Sequence, residues 1–166
     1  MTEPSLGTVL VSQSPEERFE EYLQSRGKRM TQQKRQLLKR VVARHEHFDA
    51  ETLIEQLMSS DRAARIARAT VYRFLKELVD AGLLREFQLD GRSVYEHDYG
   101  YPQHDHMYCK ECQRLFEFHN EELLKLRDRI AGIHSFRVTG HRFIITGTCE
   151  DCRLAKRRVR RKVDRI

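Results

Sequence analysis

From Ser14 to about Leu57 apolar residues recur every three or four positions between charged ones, the period of amphipathic helices. Ser14-Pro15-Glu16-Glu17 supplies an N-cap, a proline at the first helical position and acids in the first turn. Phe19, Tyr22 and Leu23 follow on one face, and Gly27 ends that helix. Thr31 caps a second helix whose inward stripe is Leu37, Leu38, Val41 and Val42. Asp49 or its neighbour starts a third, with Leu53, Ile54 and Leu57 inward. A fourth runs from about Arg68 to Ala81 on Val71, Phe74, Leu75, Leu78 and Val79, and Gly82 closes it. The period then changes. Asp90-Gly91 between two β-prone runs, in LLREFQLDGRSVYEH, predicts a hairpin, because both turn positions tolerate positive φ. Several short helices followed by a hairpin describe a winged helix-turn-helix.

The second half alternates differently. Residues 107–109, 115–118, 136–139 and 142–146 are short β-prone runs, and 121–130 repeats Leu123, Leu124, Leu126 and Ile130 at helical intervals. The expected fold class is α+β: an N-terminal winged helix-turn-helix domain and a small C-terminal α/β domain. The divisions predicted are a flexible arm over 1–14, a winged-helix domain over 15–97, a hinge over 98–102, an α/β domain over 103–153 and a basic tail over 154–166. Tyr99-Gly100-Tyr101-Pro102 carries the turn residues of a hinge.

Charge narrows the partner. The 166 residues carry 31 Lys and Arg against 25 acids, a formal +6, which favours a polyanion. The last fourteen residues hold eight basic residues and one acid, and are expected to be a solvated, structure-free tail that adds phosphate attraction. No apolar run reaches the length of a membrane span and no signal peptide is evident, so a cytoplasmic chain without a membrane partner is expected.

Two stretches carry chemistry. All four cysteines fall in two Cys-x-x-Cys pairs, Cys109/Cys112 and Cys149/Cys152. Two intervening residues let one turn of backbone aim both sulfurs at one ion, and two pairs complete the tetrahedral thiolate cage that a structural Zn2+ prefers. Redox chemistry or two disulfides is the alternative, set aside because no secretion signal is evident and every cysteine sits in a metal-type spacing. Just upstream, His104-Asp105-His106 in an extended segment sends both imidazoles to one side and Asp105 to the other. Two imidazoles make half a metal site, with Glu96, Glu117 and His47 as candidates to complete it. A nitrogen and carboxylate donor set suits Fe2+, Mn2+, or Zn2+ at higher coordination number. In RAARIARATVYRFLKEL, Arg62, Arg65, Arg68, Arg73 and Lys76 alternate with inward apolar residues. Basic side chains there can reach phosphates, and Thr70, Tyr72 and Arg73 are candidates for the DNA face.

ATVYRFL, SVYEH, HDHMYCKEC and CEDC, in that order, resemble the ferric uptake regulator (Fur) family over roughly Arg18 to Cys152. The resemblance implies a metal-dependent transcriptional repressor, a homodimer binding double-stranded operator DNA, with neither enzymatic activity nor a small-molecule substrate. It implies that the C-terminal domain supplies the dimer interface and the structural zinc. It implies a regulatory metal site of His47, Glu96, His104, His106 and Glu117. It places Tyr72 and Arg73 at base- and phosphate-contacting positions, and Arg29 at the minor groove. A further site of some members is degenerate here. Asp105 and His141 match, but Gln103 and Leu124 stand at the other two ligand positions.

Peroxide-sensing relatives carry aspartate where Glu117 stands, and zinc-sensing relatives often use a cysteine that this chain cannot spare. The order of expectation is therefore iron, then peroxide sensing, then zinc or manganese. A zinc-dependent hydrolase built on the His/Glu cluster is the competing class. It wants a general base beside the metal, yet no HExxH is present and a winged helix has no part in it.

Overall fold

The computed structural model describes residues 9–44, 47–60 and 66–163. The chain forms two compact units, one ending at Pro102 and the other beginning at Gln103. The first contains α1 (Pro15–Ser25), α2 (Gln32–Val42), β1 (Phe48–Asp49), α3 (Ala50–Ser60), α4 (Arg68–Asp80), β2 (Leu84–Leu89) and β3 (Arg92–His97). The second contains β4 (Asp105–Cys109), β5 (Leu115–Phe118), α5 (Glu121–Ile133), β6 (Ile144–Gly147) and α6 (Glu150–Val163). The fold is α+β, with a winged helix-turn-helix followed by a small α/β domain.

Local chemistry sets the element ends. Ser14 and Glu17 form a reciprocal capping box at α1, and the Thr31 hydroxyl accepts the Lys34 N–H at α2. Gly82 (φ +67°) ends α4: its N–H bonds Val79 O while Leu83 N–H bonds Leu78 O, and Leu83 and Leu78 are both buried. A Cβ at Gly82 would also stand 3.1 Å from the Arg18 guanidinium. Asp90 (φ +49°) and Gly91 (φ +76°) make the hairpin turn with the left-handed backbone that the sequence demanded. β2 and β3 pair antiparallel from Leu84↔His97 to Leu89↔Arg92.

β1 went unforeseen because it is two residues long. It pairs with β3 (Phe48↔Tyr95), giving the order β1-β3-β2, and Asp49 also caps α3 through Thr52 N–H at 2.7 Å. Phe19, Leu23, Leu53, Val71, Leu75 and Leu78 lie at the centre of the helical core. Beneath them Glu77 is buried and takes Lys28 Nζ at 2.7 Å and Lys34 Nζ at 2.6 Å, tying α4 to the α1–α2 loop and to α2.

Four expectations need correction. Residues 136–139 are not a strand. Ser135 takes φ +49° after α5, and Phe136 N–H bonds Ala131 O, so Phe136 belongs to the helix-ending motif while β5 and β6 occupy both edges of β4. The last strand runs over Ile144–Gly147, two residues later than expected at its start. The arm is not free over 9–14, since Val9 N–H bonds Gly100 O and Tyr99 O–H bonds Gln13 O; residues 1–8 lie outside the described residues. The basic tail is helical to Val163, because Cys149 and Cys152 fix its first turn and Glu150 and Asp151 favour the positive end of the helix dipole.

The second unit is thin. β5 pairs antiparallel and β6 parallel with β4, in the order β5-β4-β6. Its buried residues among those described are Asp105, His106, Tyr108 and Cys109, and α5 buries none of its side chains. Ile133 (74%) and Phe136 (70%) are largely exposed.

Burial opposes ionisation of Glu77, but the two ammoniums outweigh it and hold its carboxyl below 4.5. A depressed pKa stabilises the fold above the unfolded value and fades as pH falls through the folded one. Glu77→Gln is therefore expected to lower the stability of the N-terminal unit by about 2 kcal/mol at neutral pH. In denaturation across pH, the gap from the parent should close in the acid range; a gap independent of pH would contradict the ion pairs.

Candidate metal centres and nucleic-acid face

Antiparallel register builds the first half-site. β1 pairs Phe48 with Tyr95, so one step back the same register sets His47 opposite Glu96. His47 Nε2 lies 3.1 Å from Glu96 Oε2, and both side chains are almost wholly buried. Arg85 Nη1 stands 3.9 Å from Glu96 Oε1, offsetting part of its charge. A buried imidazole and carboxylate side by side supply two ligands.

The second half-site lies on β4 and β5. Alternation along β4 keeps His104 and His106 on one side, with ring centroids 4.9 Å apart, and register sets His106 opposite Glu117. His104 Nε2 is 3.6 Å from Glu117 Oε1. Two imidazoles and one carboxylate make three ligands without thiolate, a donor set that fits a borderline or hard divalent ion.

Asp105 points the other way. Its Oδ2 lies 3.2 Å from His141 Nε2, and its Oδ1 accepts the Phe143 N–H at 3.0 Å. On the far side of that imidazole, Gln103 Nε2 (2.5 Å) and Arg127 Nη1 (3.1 Å) both approach His141 Nδ1. N–H donors face the ligand nitrogen and a guanidinium supplies the local positive charge. This donor set does not fit a metal.

The four cysteines are free thiols brought together by the end of β4, the turn after it and the first turn of α6. Their sulfurs lie within 4.8 Å of one another, and Cys112 and Cys149 are 3.8 Å apart. That separation is the edge of a tetrahedron with bonds of about 2.3 Å, the zinc–thiolate length. Backbone N–H groups of Cys112 and Cys149 hold the Cys109 thiol down at about 6, while hydrogen bonding to the Cys149 thiol pushes Cys152 up to about 12. One thiolate forms readily; four together require a cation.

The DNA-face candidates lie on α4 and before α2. Tyr72 and Arg73 are exposed, Thr70 is half-buried, and Arg29 is exposed in the α1–α2 loop. Arg62 and Arg65 lie outside the described residues. Sequence reasoning missed Glu51 on α3: its carboxylate accepts the Tyr72 hydroxyl at 2.7 Å and pairs with Arg68. Nothing in local spacing pairs residues 51, 68 and 72; packing of α3 on α4 does. Gln103 was noted only as a mismatch, and Arg127 not at all.

The ferric uptake regulator family model matches residues 25–146, a span that ends before Cys149 and α6. The ferric uptake regulation protein of Campylobacter upsaliensis is 32% identical over 82% of this chain and 87% of that protein. The peroxide-responsive repressor PerR of Staphylococcus saprophyticus is 32% identical over 78% of this chain and 86% of its own length. Among solved structures, the Vibrio cholerae ferric uptake regulator superposes with a TM-score of 0.66 at 28% identity, over 78% of this chain and 98% of that one. With the family model matching most of the chain and a relative 32% identical over most of both lengths, the chain belongs to the ferric uptake regulator family.

Proposed function

We propose that this protein is a metal-dependent, DNA-binding transcriptional repressor, iron-responsive, acting as a homodimer with one structural Zn2+ in each subunit's thiol cage. The observation that carries the reading is a pair of incomplete donor sets. His47 with Glu96 belongs to the first unit, and His104, His106 and Glu117 belong to the second. Neither alone satisfies an ion, and together they offer five ligands for Fe2+ or Mn2+, with Zn2+ able to substitute. An ion shared by the two sets binds one mutual arrangement of the units better than others. It therefore shifts the population by that differential affinity. The favoured arrangement is the one that fits operator half-sites.

Arg29, Arg68, Thr70, Tyr72 and Arg73 form the DNA face in this reading. Phosphates displace Glu51 from Arg68 and Tyr72 as the helix docks. Homodimerisation answers the thinness of the second unit, whose exposed Ile130, Ile133, Phe136 and Ile145 need cover that one chain does not supply. Asp105 and His141, closed by Gln103 and Arg127, act as a brace and not as a metal centre. Peroxide sensing is the second reading, since a peroxide-responsive repressor is among the relatives; Glu117 in place of aspartate favours iron uptake control.

Three outcomes test this. Cys109→Ser should lose zinc by elemental analysis and destabilise the second unit and the dimer; full zinc occupancy in that variant rejects the cage. Fe2+ or Mn2+ should tighten binding to a duplex selected from a random pool by about 5- to 150-fold. Glu96→Ala and His104→Ala should abolish that gain with zinc retained; an intact response in both removes the regulatory site. Arg73→Ala should cost roughly 1–3 kcal/mol of operator affinity by titration, and an unchanged affinity means α4 docks by another face.

A further inference from the structure

α6 begins on the thiol cage and continues into a stretch without acids. From Arg153 to Val163 the sequence has seven basic residues and no carboxylate. Their positions are ordered: 153, 156, 157, 160 and 161 follow the i, i+3, i+4, i+7, i+8 spacing, so the helical backbone sets five basic positions on one stripe. Ala155, Val159 and Val163 recur every four residues on another.

This spacing is unfavourable for an isolated helix. Residues 153/157, 156/160, 157/161 and 158/162 are like-charged pairs at i, i+4, each of which weakens the helix. Basic residues near the C-terminal end gain something from the helix dipole, but only within its last turn. The helix is instead held at its start. Cys152 belongs to the cage, Arg114 Nη2 donates to Asp151 Oδ2 at 3.1 Å, and Lys156 Nζ donates to Glu111 Oε1 at 2.6 Å. The stripe is thus held at its thiol-cage end, where Lys156 pairs with Glu111 and Arg153 with Glu150, and its further basic positions suit an extended polyanion.

We propose that α6 is a second, sequence-independent DNA-binding element, whose basic stripe lies along duplex phosphates. The proposal rests on the reading of the chain as a DNA-binding regulator. From residue 153 to 161 the stripe is about 12 Å long at 1.5 Å per residue. That covers about three phosphates of one strand at 3.4 Å of duplex axis each. α6 then supplies affinity without sequence choice, while α4 supplies the choice.

The test uses the full metal-loaded chain, the same chain ended after Ala155, and an Arg157→Gln/Arg160→Gln/Arg161→Gln variant, with zinc content checked in each. Binding to a random-sequence duplex and to the selected operator is measured across a salt series. Both altered chains should show a log-affinity against log-salt slope shallower by about 2–3, at 0.9 per lost phosphate contact. Random-duplex affinity at low salt should fall about tenfold or more, and operator affinity should fall by a similar factor, leaving the ratio of the two unchanged. An Arg→Lys triple variant should keep the parent slope, because charge alone is at work. An unchanged slope with operator binding intact overturns this proposal and leaves the regulator reading standing; a parent chain that binds no duplex overturns both. Loss of binding to anionic lipid vesicles without any change on duplex DNA also overturns it.

Discussion

The second unit buries almost nothing apolar, and the rest of its architecture follows from that shortage. Among the described residues, its three-stranded sheet and two helices bury only Tyr108 and Cys109 of their apolar side chains, and α5 buries none at all. At roughly 25 cal/mol per Å2 of apolar burial, so small a core cannot offset the entropy of ordering some sixty residues. Two supports compensate. Four thiols converge where β4, the following turn and α6 meet, so one ion held there would crosslink segments forty residues apart in sequence. The exposed apolar side chains of α5, β6 and the segment between them are the surface that the proposed homodimer would cover. The first unit needs neither support, because its helices enclose a continuous core.

Metal binding and strand register are joined by the same economy of parts. His47 and Glu96 meet because β1 is in register with β3, and His106 meets Glu117 because β4 is in register with β5. A slip of one residue in either ladder would turn every such side chain to the opposite face. The winged hairpin therefore has two parts in this: the Gly82 turn leads its first strand back along α4, and its second strand carries Glu96. Coupling of metal to DNA, in the proposed scheme, needs no long chain of intermediates, since β3 and α4 belong to one cooperatively folded unit.

What could be read in the sequence was what depends on neighbours along the chain. Capping at Ser14 and Thr31, the Asp90-Gly91 turn and the helical stripes of α1 to α4 are local decisions, and each is visible in four to twelve residues. Two-residue β1 is not, because it exists only through its pairing with β3. The run 136–139 has strand-forming side chains, but Ser135 in a left-handed conformation commits Phe136 to ending α5. α6 was masked by its charge: repelling cations argue for a disordered tail until Cys149 and Cys152 are seen to fix its first turn. At the sites, ligand types were legible from His-x-His and Cys-x-x-Cys spacing, whereas the Glu51 pairing with Tyr72 and Arg68 came only from helix packing.

β4 shows how one strand separates two kinds of positive charge. On one side His104 and His106 lie together with Glu117 opposite, the set proposed to take a divalent ion. On the other, Asp105 grips His141, whose remaining ring nitrogen faces the Gln103 amide and the Arg127 guanidinium. An arginine that cannot be deprotonated gives this second cluster a charge that no chelator or ion concentration alters. A buried carboxylate needs a compensating cation in any case. Where that cation belongs to the chain, the cluster braces β4 permanently; where it must come from solution, the cluster can report. With the far face of β4 braced by a fixed charge, the His104/His106 face has a backing that does not depend on an ion, so in the proposed scheme metal need not fold the strand that would hold it.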